Sequence, residues 1–485
     1  MEPMQRRSFL RNSLAGASAL GMGLAAEPVS AMSTVTTASV KDYGAMGDGV
    51  TDDTISIRNA LASSHKAISV PPGTYKITGQ IEIPRGKGLY GTNVGSGPRY
   101  VSATSSWDES SEGSVIKVMF GAGGESATNS AIRLNSHSVA AGLQFWYPSQ
   151  PGSTTSPSQY PPTIALAASD PLEASSLVVS PRVEDCIFIN PWIGMDFTSP
   201  HSLLCVRGIV MTAWKGGIRV DGSLDVDRLV DIHMNPNTSY RGPWPSNGIN
   251  TYAVNNPNSY AFEFGQAVHI MIDRCFSYGF SKGLWAHPMA GGIPVGMLIN
   301  QCGFEGTDAP VRIDGQFRRI VFTGCMFGTR EGNPSAKAIQ AIASPTARAK
   351  ELFFVNCTIW RSENSAIQTN YVDHIRLTGF AIYSAVAELP AFSTPSVDVQ
   401  NANGFFVSDS FIEAAPHGLV YYMNIRDCKG VSVNETQFAG STSLGFGFDT
   451  RSIKGGRLRA FITGTPNIVY QLGNTDFSYE IIDCS

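Results

Sequence analysis

The sequence is short of charged residues, and neither sign dominates among them. Only 15% of its residues are charged, and 35 Lys and Arg stand against 39 Asp and Glu, for a formal net charge of -4. Binding to nucleic acid or to an anionic membrane requires a concentrated basic surface. We therefore expect neither nucleic acid nor membrane as the main partner.

Metal-binding patterns are also lacking. The chain has eight Cys and eight His, but no Cys-x-x-Cys pair and no His/Cys spacing of the kind found in zinc sites. We therefore expect no metal and no cofactor. A strongly apolar run of about 20 residues, long enough to cross a membrane, is missing as well.

What the sequence does contain is a short phrase that recurs along most of its length. An apolar residue is followed by two spacers, a small or apolar residue, one spacer and another apolar residue. Fainter copies place Phe380, Ser410 and Thr436 in the fourth position of the phrase. Since a unit of about 23 residues recurs with insertions, the pattern predicts a solenoid. The clear copies are Val183 to Phe188, Val206 to Met211, Leu229 to Met234, Ile272 to Ser277, Ile299 to Phe304, Phe322 to Phe327 and Phe354 to Ile359.

The local period of these copies indicates strands. Apolar residues alternate, as at Ile270 and Ile272, and a polar pair then precedes Cys275 and a second short strand. Asp, Asn and Gly in such a pair favour a tight turn. One unit is thus predicted to be a coil of an all-β, parallel β-helix, with coils stacked about 4.8 Å apart. A leucine-rich horseshoe is the competing solenoid, but its Leu-x-x-Leu-x-Leu core with a fixed Asn is absent.

Five cysteines fall in the fourth position of the phrase, which points inward. The last four are expected on consecutive coils, where side chains from like positions form a ladder. Cysteines stacked in register on parallel strands have unfavourable Cβ directions for disulfides. We therefore interpret them as free thiols of the core. They are Cys186, Cys275, Cys302, Cys325 and Cys357.

The first 31 residues are predicted to be an export signal. Arg6 and Arg7 open a stretch similar to a twin-arginine motif, and a mild apolar run follows, with cleavage expected after Ala26 or Ala31. Residues 32–39 are interpreted as a leader. The mature protein is expected to be exported, to the periplasm or beyond the cell.

Residues 40–91 are predicted to form a cap and the first coils. A Gly-rich turn precedes a short helix, which we expect Thr51 to cap and Asp52 and Asp53 to stabilise. Turn and capping roles account for Asp48, Asp52 and Asp53 without a metal. The helix would cover the open end of the solenoid. Residues 92–485 are assigned to the β-helix, with long loops at about 146–178 and 235–260.

The N-terminal segment resembles the opening of the pectate-lyase-like superfamily, which includes rhamnogalacturonases, epimerase-type proteins and tailspike depolymerases. Three motifs carry the resemblance: Tyr43-Gly-Ala, Gly47-Asp-Gly-Val-Thr-Asp-Asp53 and Pro71-Pro-Gly-Thr-Tyr75. The resemblance implies a right-handed β-helix and a polysaccharide ligand. The catalytic motifs of polygalacturonases are absent, and Ser199-Pro-His201 is only a fragment of the Asp-Pro-His-Asp motif of mannuronan epimerases. The resemblance therefore does not determine which reaction the protein catalyses.

A candidate site follows from strand alternation. In a β-helix of this kind, the strand after each phrase faces a broad groove, and the residues that alternate with its apolar positions point outward. Both charge signs, a Trp and a His on one face are typical of a saccharide site. A solvated sheet face with paired charges is the alternative. The outward residues over four coils are Arg219, Asp221, Glu263, Trp285, His287, Arg312 and Asp314, followed by the amides Gln340, Gln368 and Asn370.

Two 43-residue steps between phrases, Leu143 to Cys186 and Ile232 to Cys275, carry surplus aromatic residues. These loops would wall the groove, and we expect Tyr240, Arg241 and Trp244 to contact the substrate. The alternative is a homo-oligomer contact, and the sequence leaves a trimer and a monomer both open.

The site residues fit two reactions. Glu263 and Asp314, two coils or about 9.6 Å apart, suit inverting hydrolysis, while Asp221 and Glu263 on adjacent coils suit retaining hydrolysis. Alternatively, His287 or Tyr252 abstracts a proton next to a uronate carboxylate that Arg219 or Arg312 neutralises, which gives β-elimination. We expect a polysaccharide-cleaving enzyme, with hydrolysis ahead of elimination. The alternative is a non-catalytic glycan-binding or surface-structural β-helix.

Overall fold

The computed structural model describes residues 37–93, 97–101, 104, 106–150, 156–173, 176–235, 248–383, 395–413, 422–439, 448–463 and 469–483. The predicted signal peptide and most of the leader lie outside these residues. Tyr240, Arg241 and Trp244 do so as well, so their assignment to the substrate stays a prediction.

The chain folds into the predicted parallel β-helix, and one of its faces is a single parallel sheet of fourteen strands, here called face A. Three of these strands are short, precede Ile193 and carry no clear copy of the phrase. One of them, Ile164–Leu166, lies within the predicted loop at 146–178. The face A strands are Ile81–Ile83, Ile132–Leu134, Ile164–Leu166, Ile193–Phe197, Gly216–Val220, Tyr260–Phe264, Lys282–Ala286, Ala309–Asp314, Ile339–Ile342, Ile367–Asn370, Val397–Gln400, Met423–Arg426, Phe448–Arg451 and Val469–Leu472.

The other two faces, B and C, join into one sheet of 27 strands. Five long strands run through both faces: Cys205–Thr212, Arg228–Met234, Lys429–Ala439, Lys454–Thr463 and Thr475–Asp483. Face B further contains Thr37–Ser39, Ala67–Ser69, Gly88–Tyr90, Val139–Ala141, Arg182–Glu184, Met271–Asp273, Val295–Asn300, Arg318–Thr323, Ala349–Val355, Val372–Thr378 and Asn403–Ser408. Face C further contains Asp48–Asp52, Gly73–Ile77, Ser114–Val118, Gln144–Trp146, Ile187–Ile189, Phe276–Tyr278, Gly303–Thr307, Met326–Thr329, Thr358–Arg361, Ala381–Ile382 and Phe411–Glu413.

The corner between faces B and C explains the polar pair of the phrase. The residue just before the inward position has a left-handed backbone, with φ of 52° at Asp185, 50° at Asn356 and 61° at Gly324. Asn, Asp and Gly tolerate this conformation better than other residues do. The fainter copies obey the same rule, because Asp409 precedes Ser410 with φ of 52°. The repeat phrase is therefore the sequence signature of one corner of the coil.

Inside the coils, like residues stack as predicted. Cys275, Cys302, Cys325 and Cys357 are buried free thiols. The N–H of Cys275 donates to Sγ of Cys302 at 3.4 Å, and the N–H of Cys325 donates to Sγ of Cys357 at the same distance. Cys186 is also free and buried, and burial raises the pKa of its thiol to about 12. These thiols therefore belong to the core packing, as the sequence indicated.

The N-terminal end carries the predicted helix α1, Thr54–Ala62, which buries Ile57 and Leu61 against the first coils. Thr51 does not cap it, because residues 48–52 form a strand and the N-cap is Asp53. The Asp53 carboxylate instead accepts the N–H groups of Met46 and Gly47. Asp48 and Asp52 likewise accept hydrogen bonds from neighbouring N–H and hydroxyl groups.

The remaining elements are small. Helix α2, Gly248–Asn255, lies in the second aromatic insertion, and short 3-10 helices span Val40–Tyr43 and Ala127–Asn129. An antiparallel pair joins Arg99–Val101 to Ser106–Asp108, and a parallel pair joins Val178–Val179 to His201–Ser202. Within the described ranges, neither helix is long and apolar enough to cross a membrane.

Candidate functional site

Face A places the predicted site residues in two outward rows. Strand pairing aligns Arg219 with Glu263, Glu263 with Trp285 and Trp285 with Arg312, while the alternating Ile218 and Val220 are fully buried. We call this line row one; it begins with Asp196 and continues beyond Arg312 through Gln340, Gln368, Asp398, Asn424 and Asp449.

Row two lies two positions further along each strand. It contains His287 and Asp314, and it continues through Ile342, Asn370, Gln400, Arg426 and Arg451. The alternation predicted from the sequence is therefore correct for both rows.

Glu263 is the hub of the upper part of the site. Its Oε2 atom accepts a hydrogen bond from Nε of Arg219 at 2.6 Å, and its Oε1 atom lies 3.0 Å from Nε2 of His287. Arg219 also approaches Oδ2 of Asp196 at 3.5 Å from the preceding coil. The Glu263 carboxylate thus joins Arg219 and His287 directly, and Asp196 is joined through Arg219. We call these four residues the Glu263 hub.

Trp285 connects this hub to the lower part of the site. Its indole ring stacks on the imidazole of His287 with 4.1 Å between ring centroids, and its Nε1 donates to Oδ2 of Asp314 at 3.0 Å. Nε of Arg312 donates to Oδ1 of Asp314 at 2.7 Å. Nζ of Lys282 lies 4.1 Å from the centroid of the Trp285 ring. The predicted aromatic platform is therefore held rigidly between two ionic groups.

The two carboxylates beside Arg219 have opposite pKa shifts. Burial opposes ionisation of Glu263, but the hydrogen bond from His287 and the charge of Arg219 outweigh it, so the pKa of Glu263 falls below its usual value. Burial dominates at Asp196 and raises its pKa despite the Thr198 hydrogen bond and the charge of Arg219. Glu263 is consequently an ionised group, whereas Asp196 retains a proton more readily than an ordinary aspartate does.

The separations inferred from coil counting need correction. Glu263 aligns with Arg312, whereas Asp314 lies two residues further along that strand. The Cα atoms of Glu263 and Asp314 are therefore about 12 Å apart, because a two-residue step adds to the two-coil spacing. Asp221 is offset from Glu263 in the same direction, so the direct adjacent-coil pair expected for retaining hydrolysis is also wrong.

Asp221 itself is engaged by the backbone. Its Oδ1 atom accepts the N–H of Gln266 at 2.7 Å, and its Oδ2 atom accepts the N–H of Gly291 at 2.8 Å. A Cβ atom at Gly265 or Gly291 would come within 2.6 Å of the Asp221 carboxylate. Asp221 therefore stabilises the backbone at Gln266 and at Gly291, on either side of His287.

Sequence reasoning missed three neighbours of the site. Asp196 aligns with Arg219, Tyr260 lies under the guanidinium of Arg219 at 5.4 Å, and Lys282 covers Trp285. Asp196 lies between the apolar residues Met195 and Phe197 on the strand Ile193–Phe197, so the alternation of that strand could have revealed it. Tyr260 and Lys282 lie at the start of their strands, where the corner of the coil changes the direction of side chains.

Tyr252, the alternative base, lies on α2 and away from the Glu263 hub. Its ring packs 5.8 Å from both Trp192 and Trp214. Beside it, Glu125 accepts hydrogen bonds from Nε1 of Trp192 at 2.6 Å and from Nζ of Lys215 at 2.7 Å. The described part of the second insertion therefore packs Tyr252 against Trp192 and Trp214, and its role as a wall of the groove stays a prediction.

The His of the Ser199-Pro-His201 fragment is a core residue. Nε2 of His201 lies 2.9 Å from Oδ2 of Asp227, and both side chains are fully buried. Asp227 also accepts the N–H of Leu204 at 2.9 Å. The part of the chain that the structure describes contains no group of three His, Cys, Asp or Glu side chains arranged to hold a metal ion.

Comparison with known proteins supports the resemblance of the N-terminal motifs. Residues 37–136 match the family of rhamnogalacturonase A/epimerase, pectate lyase-like proteins. The resemblance to the pectate-lyase-like superfamily is thereby confirmed.

Two curated relatives match a short part of the chain. Alginate lyase 7 of Azotobacter vinelandii is 38% identical over 80 residues, which cover 15% of this chain and 9% of that protein. Mannuronan C5-epimerase AlgE5 of the same organism is 31% identical over 92 residues, which cover 17% of this chain and 9% of that protein. The matches span less than a tenth of the length of these relatives.

Among solved structures, the chain is similar to the pre-mature gene product 12 of bacteriophage phi29. The two share 15% sequence identity at a TM-score of 0.56, over 90% of this chain and 56% of that one. At this identity the likeness concerns the fold, which is the right-handed parallel β-helix that the N-terminal motifs implied.

Proposed function

We propose that this chain, whose N-terminal segment is that of the pectate-lyase-like superfamily, acts on an acidic polysaccharide along face A and cleaves it by β-elimination. One observation carries the reaction type: the carboxylates of Asp196, Asp221 and Glu263 are buried, while His287 and Arg219 reach solvent. The exposed carboxylate, that of Asp314, is held by Arg312 and by the indole N–H of Trp285. The side chain of Glu263 is 5% exposed, against 20% for His287 and 25% for Arg219. The names of the two curated relatives, a lyase and an epimerase of acidic glycans, support the substrate class.

His287 is the proposed base. Its Nε2 faces the Glu263 carboxylate, and its Nδ1 lies 3.2 Å from the carbonyl oxygen of Pro288. Both nitrogens thus face acceptors, so proton abstraction requires the neutral tautomer that donates Nε2–H to Glu263, with Nδ1 moved away from the Pro288 carbonyl oxygen towards the substrate. Glu263 is then a positioning residue, which fixes the tautomer and stabilises the imidazolium that forms.

The proposed step is balanced within the site. Nδ1 of His287 takes the proton from the carbon next to the uronate carboxylate, and the released electron pair forms a double bond as the glycosidic C–O bond breaks. The leaving oxygen takes a proton from the imidazolium or from water. Arg219 neutralises the uronate carboxylate and so stabilises the charge that develops on it. Arg312 lies three coils further along row one, about 14 Å away, where it would meet another sugar of the same chain.

Hydrolysis is the second candidate, and it rests on the pair Asp196 and Glu263. Environments that push two carboxyl pKa values apart are typical of an acid and a base, and these two residues are two coils, or about 9.6 Å, apart on row one. We place it second because a general acid must reach the glycosidic oxygen. Asp196 is only 6% exposed, and its oxygens contact Thr198 and Arg219.

Incubation with a panel of uronate polymers, including alginate, tests the proposal. Elimination produces new reducing ends together with the ultraviolet absorbance of an unsaturated uronate. New reducing ends without that absorbance would overturn elimination in favour of hydrolysis. Binding without either product would favour the non-catalytic alternative.

A further inference from the structure

A second cationic cluster lies on face A, far from the Glu263 hub. Asp449 is fully buried, and two arginines hold its carboxylate. Arg426 donates from Nη2 to Oδ2 at 3.0 Å, while Arg451 donates from Nε to Oδ1 and from Nη2 to Oδ2, both at 2.8 Å. The Arg426 and Arg451 side chains are 36% and 37% exposed, so one buried negative charge carries two cations at the surface.

This Asp449 cluster repeats the chemistry of the upper site. In both places a buried carboxylate orients an arginine whose outer edge reaches solvent, as Glu263 does for Arg219. Such a guanidinium is held in place before a ligand arrives, which reduces the entropy lost on binding. Two of them with one carboxylate leave a net positive charge, which favours an anionic ligand.

Strand register places the two clusters on one line. Glu263 and Asp449 both lie in row one, separated by seven strand-to-strand steps. The distance along the solenoid is therefore about 34 Å. Arg426 and Arg451 lie in row two, five and six steps beyond His287.

The strip between the clusters is polar, and its charged side chains are engaged within it: Arg312 with Asp314, Lys337 with Gln368, and Asp398 with Gln400 and Asn424. Gln340 donates from Nε2 to Oε1 of Gln368 at 2.9 Å, and Asn424 donates from Nδ2 to Oδ1 of Asp398 at 2.7 Å. Amides such as these can exchange hydrogen bonds with sugar hydroxyl groups. A glycan chain could therefore follow the rows from one cluster to the other.

We propose that Arg426 and Arg451 form a second carboxylate-binding subsite, which holds a uronate of the same polysaccharide chain remote from the bond that is cleaved. The identity of the substrate rests on the proposed function. A sugar residue advances a glycan by roughly the spacing of one coil, so only chains of about six residues or more span both clusters. The subsite makes the protein prefer long acidic chains, because contacts at both ends of one chain raise its affinity.

The test removes the charges of the Asp449 cluster and measures the affinity for the polysaccharide that both clusters are proposed to bind. Arg426→Gln/Arg451→Gln, with Asp449→Asn added to remove the buried charge left behind, is measured beside Arg319→Gln. Arg319 is a matched control, since it pairs with Glu351 at 2.7 Å on face B. Affinity for a long uronate polymer, for its carboxyl-reduced form and for a four-residue oligouronate is measured by calorimetry.

We expect the triple variant to bind the long uronate polymer at least about tenfold more weakly than the parent. Binding of the oligouronate and of the carboxyl-reduced polymer should stay at the parental level, and Arg319→Gln should change nothing. Unchanged binding of the long polymer overturns the proposal, as does equal weakening for the carboxyl-reduced polymer. If the triple variant fails to fold, the single Arg451→Gln variant, which keeps Arg426 on Asp449, must show the same selective loss.

Because the assay measures binding, it separates this inference from the proposed reaction. A parent that binds but cleaves nothing refutes the elimination and leaves the subsite supported if the triple variant loses the long polymer. A parent that cleaves while the triple variant binds normally refutes the subsite alone.

Discussion

Nε2 of His287 lies 3.0 Å from Oε1 of Glu263 on the preceding coil, and the other oxygen of the same carboxylate is held by Arg219. The arrangement exists only because the parallel register sets like positions of successive coils side by side. As a result, the buried carboxylate of Glu263 orients two more exposed side chains, His287 and Arg219, which can contact a substrate.

Replacing His287 by Ala should abolish most of the elimination activity. Loss of a positioned base typically costs about 100-fold or more in rate. Glu263→Gln should lower kcat by less, because it keeps the shape of the contact but not the charge that stabilises the imidazolium. Glu263→Gln should also change the shape of the pH–rate profile, which a merely structural loss would not do. If both variants fold and cleave at the parental rate, His287 is not the base of the reaction.

Trp285 should act mainly on substrate binding. A stacking platform contributes to the ground state and the transition state alike, so Trp285→Ala should raise KM and leave kcat nearly unchanged. Trp285→Phe is the matched control, since it keeps a ring but loses the hydrogen bond to Asp314. Initial rates over a range of polymer concentrations separate the two constants. A fall in kcat alone would mean that Trp285 orients His287 rather than the sugar.

The opposite pKa shifts of Glu263 and Asp196 predict opposite effects of acid on stability. The pKa of Glu263 is lowered, so its stabilising contribution is present above the unfolded-state pKa and is lost as pH falls through the folded-state value. The pKa of Asp196 is raised, so its ionised form is unfavourable above the folded-state value and this cost disappears on acidification. From about pH 7 down to pH 4, Asp196→Asn should lose Tm relative to the parent, whereas the Tm deficit of Glu263→Gln should shrink only below the ordinary glutamate pKa of about 4.3. Thermal unfolding at several pH values measures both, and parallel curves for the two variants would contradict the assignment.

The sequence predicted the fold and the rows of the site because both depend on short-range regularities. The phrase around Cys302 or Cys357 is the sequence pattern of one corner of each coil. Arg219 lies between the buried residues Ile218 and Val220, so strand alternation predicts that its side chain points outward. The offset between Glu263 and Asp314 was missed, since coil counting says nothing about position along a strand. The face A strands Ile132–Leu134 and Ile164–Leu166 were also missed, because three-residue strands are too short to show a period.

The partners of the site side chains were beyond the sequence for a different reason. That Glu263 bonds Arg219 and His287, rather than Trp285 beside it, depends on rotamers and on burial by the neighbouring turns. Asp221 shows the limit most clearly. Its spacing fits a catalytic acid, yet the backbone of residues 266 and 291 occupies both of its oxygens.

Export remains a prediction from the sequence. The twin-arginine pathway reads the arginine pair rather than its charge, so Arg6→Lys/Arg7→Lys should retain the protein in the cytoplasm. Fractionation of cells that express the parent and the variant, with immunodetection of each fraction, provides the measurement. Normal export of the variant would indicate an ordinary secretory signal.

The final prediction concerns His201 and Asp227, whose sequence context suggested a fragment of an epimerase motif. Nδ1 of His201 lies 2.7 Å from the carbonyl oxygen of Ser199 and Nε2 lies 2.9 Å from Asp227, so both nitrogens face acceptors. The His201 ring is thus held between two oxygen atoms in the core, and its contact with the Asp227 carboxylate is fully buried.

Asp227→Ala would leave His201 without its buried partner and the N–H of Leu204 without its acceptor, and should lower the free energy of unfolding by about 1–3 kcal/mol for each group left unsatisfied. Asp227→Asn should cost less, because it can keep the acceptor for the N–H of Leu204. Denaturant unfolding measures the difference between the two variants. Both should cleave at the parental rate under conditions where they are folded, since neither residue reaches the groove. A folded Asp227 variant that is inactive would show that the fragment serves the reaction rather than the core.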